Sequence, residues 1–158
     1  MTVFAVKRLG GRPDLIIEGK TLVDALSRAH DLNHADFRGL YLPGVRFQFA
    51  RLRHADFRDA DLWGADFFRA DVRDADFRGA RLGWANLSGA RAQRAAFSGC
   101  DLTRARLANA DLQRALFCDA TLTDASFASA IVAGADFCGA LFHRTFFDGV
   151  KFLVPKMF

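Results

Sequence analysis

The chain is poor in several residues that define common protein classes. Three cysteines are an odd count. They are too few for the disulfide scaffold of a small secreted domain and suit a reducing cytoplasm. No run of about 18 apolar residues occurs, so no transmembrane helix is expected. The start, MTVFAVKRLGGRPD, lacks a basic region followed by a long apolar stretch, so no signal peptide is expected. No Ser-His-Asp pattern, glycine-rich phosphate loop or dinucleotide fingerprint is found, and the reading is of a non-enzyme that needs no cofactor. Only one tyrosine and three prolines occur in 158 residues, a length suited to one domain. Charged residues make up 25%, which argues against disorder.

What is abundant is phenylalanine, at 17, and alanine, which is more numerous still, and both are periodic. Stepping by five from Leu32 gives Phe37, Leu42, Phe47, Leu52, Phe57 and so on to Phe152, and every position in the series is apolar. Two residues before each centre, from position 35 to 140, 19 of 22 slots hold alanine; the exceptions are Leu40, Val45 and Cys100. The intervening residue is often aspartate, as in Ala55-Asp56-Phe57. Nine of the 13 glycines fall two residues after a centre. A period of five matches neither the 3.6 of a helix nor the 2 of a strand. Each unit offers one large and one small inward group, and a single unit cannot bury that pair alone, so units must stack.

Tandem A(D/N)(L/F)xx units resemble the pentapeptide-repeat family over about four-fifths of the chain. The resemblance implies an all-β fold, a right-handed quadrilateral parallel β-helix with four units per turn. Residues 20 apart then lie above one another. The sequence agrees internally: Phe37, Phe57, Phe77, Phe97, Phe117 and Phe137 form one column, and Leu42, Leu62, Leu82, Leu102 and Leu122 form another that closes with Phe142. About six coils at strand spacing predict a rod on the order of 30 Å long.

Three segments follow: residues 1–29 as an N-terminal cap, 30–154 as the β-helix, and 155–158 as a C-terminal tail. In the cap, Val3 to Val6 and Leu15 to Ile17 read as short strands joined by turn residues. Thr21 is placed to cap a helix over Leu22 to Ala29, with Asp24 at the capping-box position. The alternative there is an irregular first coil. At the other end, Phe146, Phe147, Phe152, Leu153, Val154, Met157 and Phe158 crowd the last 13 residues. They predict either a tail folded over its own last coil or a two-fold homodimer through this end. Dimerisation there is also what resemblance to the family's topoisomerase-protecting members implies.

Function is expected on outward positions. His34 and His54 share a column with Asp74 and are candidate metal ligands, although a solvated polar ladder explains them more simply. Cys118 and Cys138 stack as neighbours. Between residues 30 and 154, 15 Arg and Lys151 face 15 Asp, about +1. That balance counts against the DNA mimicry by which some relatives protect gyrase and topoisomerase IV from quinolones, because a mimic needs a dense negative field. Direct nucleic-acid binding is not expected either, since the charges alternate in sign. Five outward aromatics, Tyr41, Phe49, Trp63, Phe68 and Trp84, mark a candidate patch for a protein partner. The reading is therefore of a cytoplasmic protein-interaction or scaffold module.

The core register carries a direct test. Ala75→Leu should overpack the narrow tube and lower stability by about 1–3 kcal/mol or more. Denaturant unfolding at an unchanged midpoint would contradict the assignment of inward slots.

Overall fold

The computed structural model describes residues 1–152. The sequence-predicted positions Leu153, Val154, Met157 and Phe158 lie outside the described residues.

The chain opens with a hairpin and a short helix. Strands β1 (Thr2–Val6) and β2 (Leu15–Gly19) pair antiparallel, with Phe4 opposite Ile17. Helix α1 spans Leu22–Leu26, with Thr21 as its N-cap. The Asp24 amide donates to Thr21 Oγ1 at 3.1 Å, and Asp24 Oδ2 accepts from the Lys20 amide at 2.9 Å. Thr21 and Asp24 take the positions expected of a capping box, but the return bond of Asp24 goes to the amide of Lys20, one residue before the N-cap. The helix stops at Leu26, short of the expected Ala29. Ser27 takes the C-cap position and its hydroxyl donates back to the Val23 carbonyl at 2.8 Å, a local bond that competes with further helix.

The cap seals the first coil. The Asp36 amide donates to the Lys7 carbonyl at 2.9 Å, Leu9 donates to His34 at 2.7 Å, and the Arg46 amide donates to Ser27 Oγ at 3.1 Å. In later coils such amides pair with the preceding coil. The cap therefore occupies part of a sheet edge that would otherwise template aggregation. Val6, Ile17, Ala25 and Leu26 join the core beneath it.

From Asp31 onward the ladder is regular. Parallel bridges link each residue before a centre to its counterpart one turn on, from Asp31 with Arg51 to Ile131 with Lys151. Each turn therefore closes after four five-residue faces, and the coil is a right-handed β-helix. Every centre except those at the C-terminal end is buried, as are the small residues two positions earlier. The Phe57, Phe77, Phe97 and Phe117 rings stack at 4.8–4.9 Å with interplanar angles of 1–9°. Neighbouring columns meet edge to face, as Phe57 and Phe67 do at 5.7 Å and 87°. Both arrangements are favoured by the ring quadrupole.

The corners explain two more features of the sequence. At every corner up to Ala140, the amide of the residue three after a centre donates to that centre's carbonyl, as from Ala75 to Val72 at 3.1 Å, a turn from centre to alanine. The residue two after the centre has φ between 50° and 71° at every corner from His34 to Gly149. Glycine meets this demand without strain, which accounts for its clustering. Where glycine is absent the slot holds His, Asp, Asn, Arg, Ser, Phe or Trp, and never a β-branched residue. In addition, the aspartate before each centre accepts the amide two residues on, as Asp101 does from Thr103 at 3.0 Å. The one-carbon arm of Asp or Asn closes this local ring, which the longer arm of Glu does not, and the whole chain has one glutamate, Glu18, outside the β-helix.

Asn109, at φ 58°, offers a test. Asn109→Val should destabilise by about 1–3 kcal/mol, whereas Asn109→Gly should be neutral or stabilising. Equal thermal midpoints for the two variants would refute the left-handed corner.

Candidate functional site

Most outward charges are spent on one another. Asp36, Asp56 and Asp76 form one vertical row, and each takes a guanidinium from two residues on: Arg38 at 2.6 Å, Arg58 at 2.7 Å and Arg78 at 2.6 Å. Arg38 and Arg58 also reach the next coil's Asp56 and Asp76, each at 3.6 Å. On other faces Arg81 meets Asp61 at 2.7 Å, and Arg104 and Arg144 flank Asp124 at 3.4 and 2.7 Å. Bonding from Arg38 and from Arg94 holds the Asp36 and Asp74 carboxyls below the usual carboxylate range. The rod thus carries a neutralised lattice rather than a row of free carboxylates.

The aromatic residues lie on two adjacent faces, one of which also carries the Asp61–Arg81 and Arg104–Asp124 pairs. Tyr41 is 75% exposed, Phe49 60%, Trp84 50% and Trp63 43%. Trp63 packs against Gly83: a Cβ added to Gly83 would sit 2.5 Å from the Trp63 ring. Gly83 is outside the corner slot, so the space it leaves, rather than its backbone, is what the structure uses. Stacking of residues 20 apart sets Trp84 beside Gly64, as it sets Trp63 beside Gly83. However, nothing lies within 4 Å of an added Gly64 Cβ, and Trp84 turns toward the following coil, where the Arg104 guanidinium sits 4.8 Å from its ring centre. The cation–π contact on that side decides the direction. Phe49 and Phe68 meet edge to face at 5.7 Å, and Arg69 covers Phe68 at 5.3 Å. The rings are therefore braced on one side by the scaffold and open on the other. Phe49 and Trp84 both occupy left-handed corners, at φ 59°.

The His34 and His54 rings stack face to face at 4.8 Å and 13°. Both Asp74 oxygens are engaged by Arg94, at 2.6 and 2.8 Å. The structure thus stacks the two histidines and pairs Asp74 with Arg94. Cys100, in an alanine slot, is buried; its thiol donates to the Phe77 carbonyl at 2.8 Å and burial pushes its pKa up to about 12. Cys118 and Cys138 are unpaired thiols at the surface. Their sulfurs, with a carboxylate oxygen of Asp136, lie within 4.8 Å of one another. Sequence reasoning placed the two cysteines together but missed Asp136, which stands two residues before Cys138, where other coils hold Asp-x-Arg. At the C-terminal end Phe142, Phe146, Phe147 and Phe152 are exposed. No helix among the described residues is long and apolar enough to cross a membrane.

A β-helix of four five-residue faces, one large and one small inward group per face, defines a class. The pentapeptide-repeats model matches in overlapping segments, 31–67, 46–83, 65–104, 80–118, 100–131 and 120–152. This chain belongs to the pentapeptide-repeat family. Among solved structures it is similar to a pentapeptide repeat protein of the Arabidopsis thaliana thylakoid lumen, at 33% identity over 78% of this chain and 75% of that one, TM-score 0.32. It is also similar to a trypsin-treated form of QnrB1, a plasmid-mediated fluoroquinolone resistance protein, at 20% identity over 77% of each chain, TM-score 0.45. HetL of Nostoc sp. strain PCC 7120, involved in heterocyst differentiation regulation, matches at 24% identity over 76% of this chain and 81% of that one, TM-score 0.29. Comparison with curated proteins gives no match.

The paired carboxylates set the acid response. Asp36 and Asp74 have folded pKa values below their unfolded ones. Their pairs therefore contribute above the unfolded value, near pH 4, and that contribution is lost as pH falls through the folded values. The urea midpoint should hold from pH 7 to about 5 and drop below about 4, with a shallower drop for Asp74→Asn. An identical acid profile for that variant would contradict the pairing.

Proposed function

We propose that this protein is a non-catalytic interaction module that binds a protein partner through the two adjacent faces carrying Tyr41, Phe49, Trp63, Phe68 and Trp84. The observation that carries the reading is how the rings are held. Trp63 is seated on a glycine that leaves room for it, and Trp84 is propped by Arg104. Large aromatics immobilised before binding lose little entropy on association and supply most of an interface's energy. The border is mixed in sign: Arg46 and Arg69 form no ion pair among the described residues, and Asp66, on the coil next to Arg46, forms none either. A partner surface with an apolar centre and a polar border is the complement.

A second copy of the chain is the proposed occupant of the C-terminal end. Phe147 stacks on Phe127 at 5.1 Å and Phe137 on Phe117 at 4.9 Å, and among the described residues Phe147 is 38% exposed and Phe142, in a neighbouring column, 49%. A two-fold partner presenting the same end continues both stacks. Light scattering on the full chain should give twice the chain mass, falling to one chain for Phe146→Asp with Phe152→Asp. A monomeric parent removes this proposal.

Topoisomerase protection by DNA mimicry is the competing reading. The ion pairs on Asp36, Asp56 and Asp76 weigh against it, because guanidinium groups occupy the carboxylates that would imitate phosphates. A quinolone-inhibited gyrase assay should show no rescue, and rescue would favour mimicry. For the aromatic face, Trp63→Ala with Trp84→Ala should leave the thermal midpoint within a few degrees and abolish partner capture. Gly83→Ala, which displaces Trp63, should weaken capture in the same direction. Capture at wild-type level by the double variant overturns the assignment.

A further inference from the structure

The cysteine pair lies on the face that carries the aspartate–arginine row, toward its C-terminal end. Cys118 and Cys138 occupy one outward slot on successive coils, directly beyond Ser98. Asp136 precedes Cys138 by two residues and its Oδ1 accepts the Cys138 amide at 3.0 Å. In the earlier coils of this face, that arrangement brings an arginine onto the carboxylate: Asp36 with Arg38, Asp56 with Arg58, Asp76 with Arg78. At Asp136 the guanidinium is replaced by sulfur, and Asp136 makes no ion pair among the described residues. The slot thus gathers one carboxylate and two thiols with no cation. It is the one group of three His, Cys, Asp or Glu ligand atoms so gathered among the described residues.

We propose that Cys118, Cys138 and Asp136 form a binding site for a thiophilic divalent metal ion of the zinc class. Two sulfurs and one oxygen are a donor set that selects Zn²⁺, Co²⁺ or Cd²⁺ over Mg²⁺ and Ca²⁺, which prefer all-oxygen shells. A tetrahedral zinc with sulfurs at about 2.3 Å and an oxygen at about 2.0–2.2 Å needs ligand atoms roughly 3.3–3.8 Å apart. The three atoms already lie within 4.8 Å. Closing the remainder takes side-chain rotation alone, because strand stacking fixes the two cysteine backbones one ladder spacing apart. The fourth position faces solvent and takes a water.

On binding, each thiol releases its proton to solvent and two metal–sulfur bonds and one metal–oxygen bond form. The metal keeps its oxidation state, and the site ends with a charge of −1. No oxidant is involved, which separates this chemistry from a Cys118–Cys138 disulfide.

The test uses the full chain, freed of metal and kept reduced, titrated with Co²⁺. A thiolate-to-cobalt charge-transfer band should rise and saturate at one ion per chain, then disappear when Zn²⁺ is added. Cys118→Ser and Cys138→Ser should each abolish the band while leaving the far-ultraviolet circular dichroism unchanged, since Ser98 shows that the column accepts serine. Asp136→Asn retains an oxygen for the Cys138 amide and should weaken binding at least about tenfold, as losing a direct ligand costs no less than losing an outer-shell one. Cys100→Ala should leave the band intact. Absence of a band at one equivalent, a band that survives loss of either surface cysteine, or unchanged affinity in Asp136→Asn each overturns the site.

Discussion

Everything in this molecule depends on one ladder of backbone hydrogen bonds between successive coils. Each centre's amide donates about one turn forward, as Leu62 does to Arg81 at 2.8 Å, and the residue before it donates about one turn back, as Asp61 does to Leu40 at 2.9 Å. Closing a square once per turn leaves a tube too narrow for more than two inward side chains per face, one large and one small. The core composition, the corner geometry and the outward columns all follow from that limit. A sheet normally leaves exposed edges; here each coil covers the one before, and the hairpin and helix α1 cover the first.

The same ladder turns sequence spacing into surface chemistry. Residues 20 apart become neighbours at strand spacing, so a carboxylate can be met either by an arginine of its own unit or by one on the adjacent coil. Asp76 uses both routes, through Arg78 and Arg58. Exposed pairs of this kind contribute little singly, yet as a lattice they cancel the long-range field. What remains distinctive on such a neutral rod is local: braced aromatic rings on two faces, and two thiols beside an aspartate on another.

The core was legible in the sequence almost residue by residue, because a period of five combined with columns that recur once per turn leaves few degrees of freedom. The corner conformation was only half legible. Glycines at nine corners announced it, but Arg94, Trp84 and Asn109 adopt the same positive φ without any compositional sign. Side-chain direction was the least legible. Column register correctly seated Trp63 over Gly83, yet it could not say that Trp84 turns toward Arg104 rather than Gly64, since both lie one coil away. Asp74 illustrates the same point: stacking put it beside His54, and the bidentate hold of Arg94 decided its chemistry. Asp136 escaped notice because its significance lies in what replaces arginine two residues later.

The central claim is that residues 20 apart are in contact while residues 10 apart lie on opposite faces. Spin labels in a background lacking the three native cysteines measure it. Labels at Ser88 and Ala108 should show strong dipolar broadening in continuous-wave electron paramagnetic resonance, and labels at Ser88 and Ser98 should not, although they are half as far apart in sequence. Comparable broadening for both pairs, or broadening only for the pair 10 apart, would contradict the four-face turn on which the account rests.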